Sequence, residues 1–295
     1  MLHSWLFLSV LTGTFFGIQS ILLKIAAQYV EQTTILKYLF LLAGIFLFPL
    51  ALHSSFPSEL SSFFWAFSVS LILNILAYSF LLEAIAKYPV SVIMPFVGLT
   101  PVFLTVTSYL ILGETITRIK FIGIITVVFG AFVLQLPSVD RQFKGWRRLV
   151  NSGDKGIWYM VLVAFIWSIT ASVEKIAVKG SSPEFYGASI HIALGIGFLF
   201  MESWQKRHKK PVIAKKLPVR TKWILFFLGV VSAALALCQL TAIRIAFVTY
   251  VITFKRAGVL ISTLYGFLFL GEKNYLKTVT GTVLILIGSA ILTLL

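Results

Sequence analysis

The chain has 295 residues, 59% of them hydrophobic and only 12% charged, and it carries a formal net charge of +15. Water-soluble domains carry roughly 25% charged residues, so this composition excludes an ordinary soluble fold and indicates lipid as the main surroundings. The single cysteine also excludes an intrachain disulfide and a cysteine-based metal cluster.

Apolar runs of membrane length follow one another along the whole chain. A helix needs about 20 residues to cross the hydrocarbon core of a bilayer. The first run has no basic segment before it and no small-residue cleavage site, so we expect it to be retained as a span. The sequence therefore predicts an all-α integral membrane protein with ten transmembrane helices, at about 5–26, 33–52, 63–85, 90–112, 119–136, 157–179, 185–204, 223–244, 247–270 and 275–294.

Most of the excess positive charge falls in two loops on one face, after the fifth and the seventh predicted spans. Loops of this kind usually face the cytoplasm and contact anionic lipid headgroups, so the charge pattern favours a cytoplasmic central loop and external termini. Because these cations lie beside membrane spans, we expect a bilayer partner and no nucleic acid. The cations are Arg141, Lys144, Arg147, Arg148, Lys155, Lys206, Arg207, Lys209, Lys210, Lys215, Lys216, Arg220 and Lys222.

The two halves of the chain repeat each other. The segment "YLILGETITRIKFIGIITVVFGAFVLQL" of the first half matches "FLFLGEKNYLKTVTGTVLILIGSAILTLL" of the second, and Lys24 matches Lys175 at a separation of 151. The sequence predicts a first five-helix repeat at 1–137, a basic linker at 138–156 and a second repeat at 157–295. Five spans per repeat give the halves opposite orientations, as in many secondary transporters. Four matched pairs lie 158 positions apart: Gly113 and Gly271, Glu114 and Glu272, Gly123 and Gly281, Gly130 and Gly288.

These repeated residues have expected structural roles. Glu114 and Glu272 each follow a glycine at a helix end, where we expect a carboxylate near the water interface to cap the N-terminus of the next helix. The four later glycines have helical spacing, and we expect them to let helices approach closely.

The ten predicted spans, the two five-span halves and the repeated Gly-Glu ending resemble the drug/metabolite transporter superfamily, specifically its EamA-domain branch. The first half also contains "PFVGLTPVFLTVTSYLILGE", with two prolines ahead of its Gly-Glu pair, as that domain typically shows. The resemblance implies a secondary carrier or exchanger that is not an enzyme and has no cofactor. In agreement, the sequence has no GxxxxGK[ST] motif and no catalytic constellation. The family usually has cytoplasmic termini, opposite to the orientation that the charge pattern favours.

Lys255 and Arg256 are adjacent cations inside the ninth apolar run. An ionised side chain near the bilayer centre costs about 3 kcal/mol on insertion scales, so the pair needs compensation. Glu174 is the acid best placed to reach it, while Lys175 and Arg244 add positive charge nearby. We therefore expect an anionic ligand, which arginine and lysine would bind as a planar fork and a point charge. The pair also resembles the phosphate-binding pair of triose-phosphate translocators; the open alternative is a structural ion pair with Glu174.

Further polar and aromatic residues on the predicted spans are candidates for the same cavity. Lys24 and Lys175 lie near helix ends, where they have the alternative of snorkelling to the interface. Glu83 and His191 are the candidates for coupling transport to protons, since histidine titrates near neutral pH. The candidates for substrate binding besides Lys255 and Arg256 are Gln19, Lys24, Asn74, Tyr78, Thr170, Glu174, Lys175, Gln239, Arg244 and Tyr250.

Together these features predict a secondary transporter of a small organic anion, such as a phosphorylated metabolite or a carboxylate, in the plasma membrane or a bacterial inner membrane. One alternative is an exporter of amino acids or amphipathic drugs, in which the basic pair binds a carboxylate or is structural. Another is a lipid-headgroup translocator or a membrane subunit that moves nothing itself. The sequence leaves the oligomeric state open.

Overall fold

Because lipid offers no hydrogen-bond partners, a chain this apolar must satisfy its backbone groups within helices. The computed structural model describes residues 2–88, 93–135, 155–208, 218–269 and 275–294, and every regular element in them is a helix. A 3₁₀ helix, Met94–Leu99, precedes α4. The α-helices are α1 Leu2–Ala26, α2 Gln32–Leu52, α3 Leu60–Lys87, α4 Thr100–Leu112, α5 Arg118–Gln135, α6 Lys155–Lys179, α7 Pro183–His208, α8 Val219–Ile245, α9 Val248–Ala257, α10 Val259–Phe269 and α11 Tyr275–Leu294.

The predicted count of ten transmembrane helices is not confirmed by the described residues, although the all-helical membrane fold is. Eight segments are long and apolar enough to cross a membrane, and they correspond to the first eight predicted spans. The ninth predicted span is divided into α9 and α10, and α11 contains a shorter apolar helix, Thr278–Leu294. Residues 136–154 and 209–217, which hold most of the two basic loops, lie outside the described residues, as do Gly271 and Glu272.

The fourth and ninth predicted spans change their helical geometry at matching positions. In the fourth, the 3₁₀ helix passes at Leu99 directly into α4, which has Pro101 in its first turn, where a missing backbone N–H is tolerated. In the ninth, α9 ends at Ala257 and the chain turns at Gly258 before α10. These two points lie 158 positions apart, the separation that relates the two repeated Gly-Glu endings.

Helices of the first half pack mainly on helices of the second: α1 on α8, α2 on α7, α3 on α6, and α5 on α11. The repeated glycines lie at the α5–α11 contact. A Cβ added to Gly130 would lie 2.8 Å from the carbonyl oxygen of Gly281, and one added to Gly123 would lie 3.0 Å from that of Gly288. The expectation that these glycines permit close helix packing is therefore confirmed.

Large apolar side chains cover the outside of the helix bundle. Phe7, Ile72, Leu110, Trp158 and Phe200 each expose more than 60% of their surface. Soluble monomers rarely expose apolar surface on this scale, because it is costly in water. This outer surface fits the hydrocarbon interior of a bilayer and leaves the polar side chains of the spans to face one another.

Candidate substrate cavity

A cavity of about 270 Å³ lies between the two halves of the chain. Its volume is close to the lower end of the roughly 300–1,000 Å³ that is usual for ligand pockets. Helices α1 to α4 and α6 to α9 all contribute to its wall, together with the 3₁₀ helix. The polar, charged and aromatic lining residues are Phe16, Gln19, Ser20, Phe40, Asn74, Tyr78, Thr100, Trp167, Thr170, Glu174, Tyr186, His191, Ser232, Gln239, Lys255 and Arg256.

Arg256 lies in this wall at the last turn of α9 and is only 7% exposed. Its Nη2 donates a hydrogen bond of 3.0 Å to Oγ1 of Thr100, the first residue of α4. The guanidinium carbon lies 5.6 Å from the ring centre of Phe16 and 5.8 Å from that of Trp167. Its buried Nε–H has no hydrogen-bond partner among the described residues. A buried donor of this kind is unusual in folded proteins.

Lys255 precedes Arg256 and also lines the cavity. Its Nζ donates a hydrogen bond of 2.8 Å to Oε1 of Gln239 on α8 and lies 5.5 Å from the ring centre of Phe16. An ammonium group can donate three hydrogen bonds, so the amide uses only one of its protons. Both cations therefore lie against one aromatic ring, and each donates one hydrogen bond to a neutral side chain among the described residues.

Glu174 supplies a carboxylate to the same cavity, within electrostatic range of Lys255 and beside Asn74. The ion pairs among the described residues do not join it to Lys255 or Arg256. The alternative of a direct ion pair between Glu174 and the two cations is therefore absent from the described structure. The carboxylate and the two cations face the cavity as separate groups.

Aromatic rings form a continuous part of the cavity wall. The ring centres of Trp167 and Tyr78 are 5.3 Å apart, and those of Tyr78 and Phe40 are 5.2 Å apart, both edge to face. The His191 ring follows at 5.6 Å from Phe40, and its Nδ1 is 2.8 Å from the carbonyl oxygen of Gly187. The side chain of Gln19 reaches across to Ser232, with Nε2 2.8 Å from Oγ. The wall thus combines flat apolar surfaces with a few amide groups.

Several of the sequence-based candidates do not line this cavity. Lys24 and Arg244 are exposed, on α1 and α8. Tyr250 packs on Trp5 and Phe247, outside the lining residues. Glu83 is an exposed partner of Lys87 on α3, with 2.7 Å between Oε1 and Nζ. These four residues therefore lie outside the lining of this cavity: the side chains of Lys24, Arg244 and Glu83 are exposed, and Tyr250 is buried in a separate apolar cluster.

Lys175 also lies elsewhere, although its neighbour Glu174 lines the cavity. Consecutive residues of a helix point about 100° apart, so the two side chains face different surroundings. Lys175 pairs with Glu114, and both side chains are only 6% exposed. The other carboxylate oxygen of Glu114 accepts a hydrogen bond of 3.0 Å from the backbone N–H of Val248, at the start of α9. Glu114 therefore caps α9 in a buried position, and the expectation that it caps the next helix near water is wrong.

The sequence-based prediction missed Phe16, Thr100 and Trp167, all in contact with Arg256. Aromatic residues and threonines are common in apolar helices, so nothing in the sequence distinguishes these three. Groups of three or more metal-ligating side chains are absent from the described residues.

Fold and cavity define a multi-pass, all-helical membrane protein with a buried cationic cavity. The chain belongs to the EamA-like transporter family, whose model matches residues 3–136 and 154–294, which confirms the resemblance seen in the sequence. Transporters of this kind are generally not enzymes.

Two further similarities agree with this assignment. A protein of Methanothermobacter thermautotrophicus, described as an uncharacterized transporter, is 26% identical over 191 residues, which cover 59% of this chain and 54% of that protein. The matched part thus spans about half the length of that relative. A solved structure titled "Crystal structure of protein" aligns with a TM-score of 0.77 and 15% identity, covering 99% of this chain and 98% of that one. At this identity the similarity shows the fold alone.

Proposed function

We propose that this protein is a secondary transporter that moves a small organic anion, such as a carboxylate or a phosphorylated metabolite, by alternating access. The observation that carries the proposal is the adjacent pair of a partly buried Lys255 and a buried Arg256 in the cavity wall, with the Nε–H of Arg256 unpartnered among the described residues. Burying two adjacent cations without a paired carboxylate is unfavourable. A bound anion supplies the missing negative charge.

The proposed architecture is ten spans in two inverted five-helix repeats, with the ninth span formed by α9 and α10. The matched changes of helical geometry after Leu99 and after Ala257 support this architecture. Transporters with inverted repeats often use interrupted helices at a central binding site. Arg256 lies next to the turn between α9 and α10 and bonds to Thr100, where the 3₁₀ helix passes into α4. The proposed anion site therefore joins the two halves of the transporter.

The test is anion binding and exchange by the purified chain reconstituted in lipid vesicles. The Lys255→Gln/Arg256→Gln variant should lose saturable anion exchange. It should keep its helical content and its elution volume in size-exclusion chromatography, which show that it is folded. The matched control is Lys24→Gln/Arg244→Gln, which removes the same charge from two exposed positions and should exchange anions normally. Unchanged exchange by the cavity variant would exclude the proposed function.

A second candidate function is the export of a zwitterion such as an amino acid. Glu174 favours it, because a carboxylate in the same cavity as two cations offers a partner for an ammonium group. Removing this carboxylate with Glu174→Gln should abolish exchange of a zwitterion and preserve exchange of a simple anion.

A further inference from the structure

The formal charge of the cavity wall limits the charge of its cargo. Lys255, Arg256 and Glu174 contribute a sum of +1, with His191 counted as neutral. Moving a proton from Lys255 to Glu174 leaves this sum unchanged, since one positive and one negative charge disappear together. A monoanion therefore brings the formal charge of the cavity to zero, whereas a dianion leaves a net negative charge among largely buried side chains, which is unfavourable.

The donors left for an anion match a carboxylate. The Nη2 of Arg256 is already bonded to Thr100, and the Nε–H of the same guanidinium is buried and unpartnered. Lys255 has protons left beyond the one that bonds Gln239. Both cations line the same cavity and lie within 6 Å of the Phe16 ring centre. Hydrogen bonds between ionised partners are the strong ones.

The rest of the wall fits a flat apolar body. The rings of Trp167, Tyr78, Phe40 and His191 follow one another at centre distances of 5.3, 5.2 and 5.6 Å. Aromatic rings attract one another beyond the simple burial of area when they meet edge to face or offset. A cavity of about 270 Å³ also limits the cargo to a small molecule.

Building on the proposed function, we infer that the cargo is a monoanionic carboxylate with an aromatic body, whose carboxylate binds Lys255 and Arg256 and whose ring packs on Trp167, Tyr78 and Phe40. Glu174 is the selectivity residue, because its negative charge keeps the sum at +1 and disfavours dianions such as phosphate monoesters.

The experiment uses probes that share one ring and differ in charge: phenylacetate, phenyl phosphate, phenylalanine and phenethylamine, with acetate as the ringless carboxylate. Dissociation constants are measured on the purified full-length chain at about pH 7.5, where a phosphate monoester is mostly dianionic. Exchange of labelled phenylacetate is measured in vesicles against protein-free vesicles. Phenylacetate should bind at least about tenfold more tightly than each of the other probes, a difference of about 1.4 kcal/mol.

Two variants sharpen the test. Arg256→Gln should weaken phenylacetate binding by about 10- to 100-fold, as expected for the loss of a charged hydrogen-bond partner. Glu174→Gln raises the formal charge of the wall to +2. It should therefore shift the ratio of the affinities for phenylacetate and phenyl phosphate towards phenyl phosphate by about tenfold or more. Glu83→Gln removes an exposed carboxylate outside the cavity and should leave the ratio unchanged. The selectivity of the unmodified protein is informative even where a variant does not fold.

The outcomes separate this inference from the proposed function. Tighter binding of phenyl phosphate or acetate by the unmodified protein, or an unchanged ratio in Glu174→Gln, overturns the aromatic monocarboxylate and leaves an anion carrier standing. Preference for phenylalanine overturns it in favour of a zwitterion carrier. Preference for phenethylamine, or binding of none of the anions, overturns both.

Discussion

Lys175 and Glu114 form a buried ion pair, with 2.5 Å between Nζ and Oε1. Lys175 also donates to the backbone carbonyl of Ala246, and Glu114 accepts from the N–H of Val248. The pair thus joins α6 and the loop after α4 to the connection between α8 and α9. Because α9 carries Lys255 and Arg256, this ion pair fixes the helix that positions both cavity cations.

Removing one member of this pair should destabilise the whole fold. Glu114→Gln leaves the Lys175 charge buried without a partner, and breaking a buried ion pair costs about 3–5 kcal/mol. We expect a large fall in the midpoint of thermal unfolding in detergent. The double variant Glu114→Gln/Lys175→Met should be less destabilised than the sum of its single variants. Glu83→Gln breaks an exposed pair and should change the midpoint little; an equal fall in both would contradict a special role for the buried pair.

A second prediction concerns the chemistry of Arg256 and leaves the formal charge unchanged. Arg256→Lys keeps one positive charge, but a lysine cannot both bond Thr100 and offer a planar second donor. Anion affinity should fall by about tenfold, measured by titration of the purified protein. Lys255→Arg is the matched charge-conserving change at the neighbouring position and should weaken binding less. Equal affinities for Arg256→Lys and the unmodified protein would mean that the anion senses only net charge.

A third prediction follows from the ring that faces both cations. Phe16 lies 5.5 Å from Nζ of Lys255 and 5.6 Å from the guanidinium carbon of Arg256, and desolvated cation–π contacts contribute about 2 kcal/mol or more. Phe16→Leu should therefore lower the thermal stability of the anion-free protein more than Phe15→Leu, which changes a neighbouring ring outside the cavity lining. A bound anion should reduce this difference in thermal stability between the two variants, because its negative charge then compensates the charges of the two cations. A constant difference with and without the anion would contradict the expectation.

The first eight spans could be predicted to within a few residues because lipid forces an apolar run into a helix. Pro101 and the Gly-Glu repeats also indicated the EamA-like family. The interruption at Gly258 could not be predicted, since it depends on close packing against another helix. The cavity contacts could not be predicted for the same reason. Arg256, for example, bonds to Thr100, which is 156 positions away in the sequence. Lys175 was misplaced because adjacency to Glu174 in sequence does not mean adjacency in space.

The last prediction tests the packing at the α9–α10 interruption. A Cβ added to Gly258 would collide with the backbone carbonyl of Gly13 on α1, and the Phe254 carbonyl lies 2.6 Å from where a Cβ of Gly13 would be. Because backbone atoms cannot rotate away, Gly258→Ala should push α1 from α9, lower the unfolding midpoint and reduce anion exchange; overpacking typically costs about 1–3 kcal/mol. Gly98→Ala is the control, since a Cβ there meets no atom within 4 Å, and it should keep both stability and exchange. Equal unfolding midpoints and equal anion exchange in the two alanine variants would show that the close contact between α1 and Gly258 does not stabilise the turn between α9 and α10.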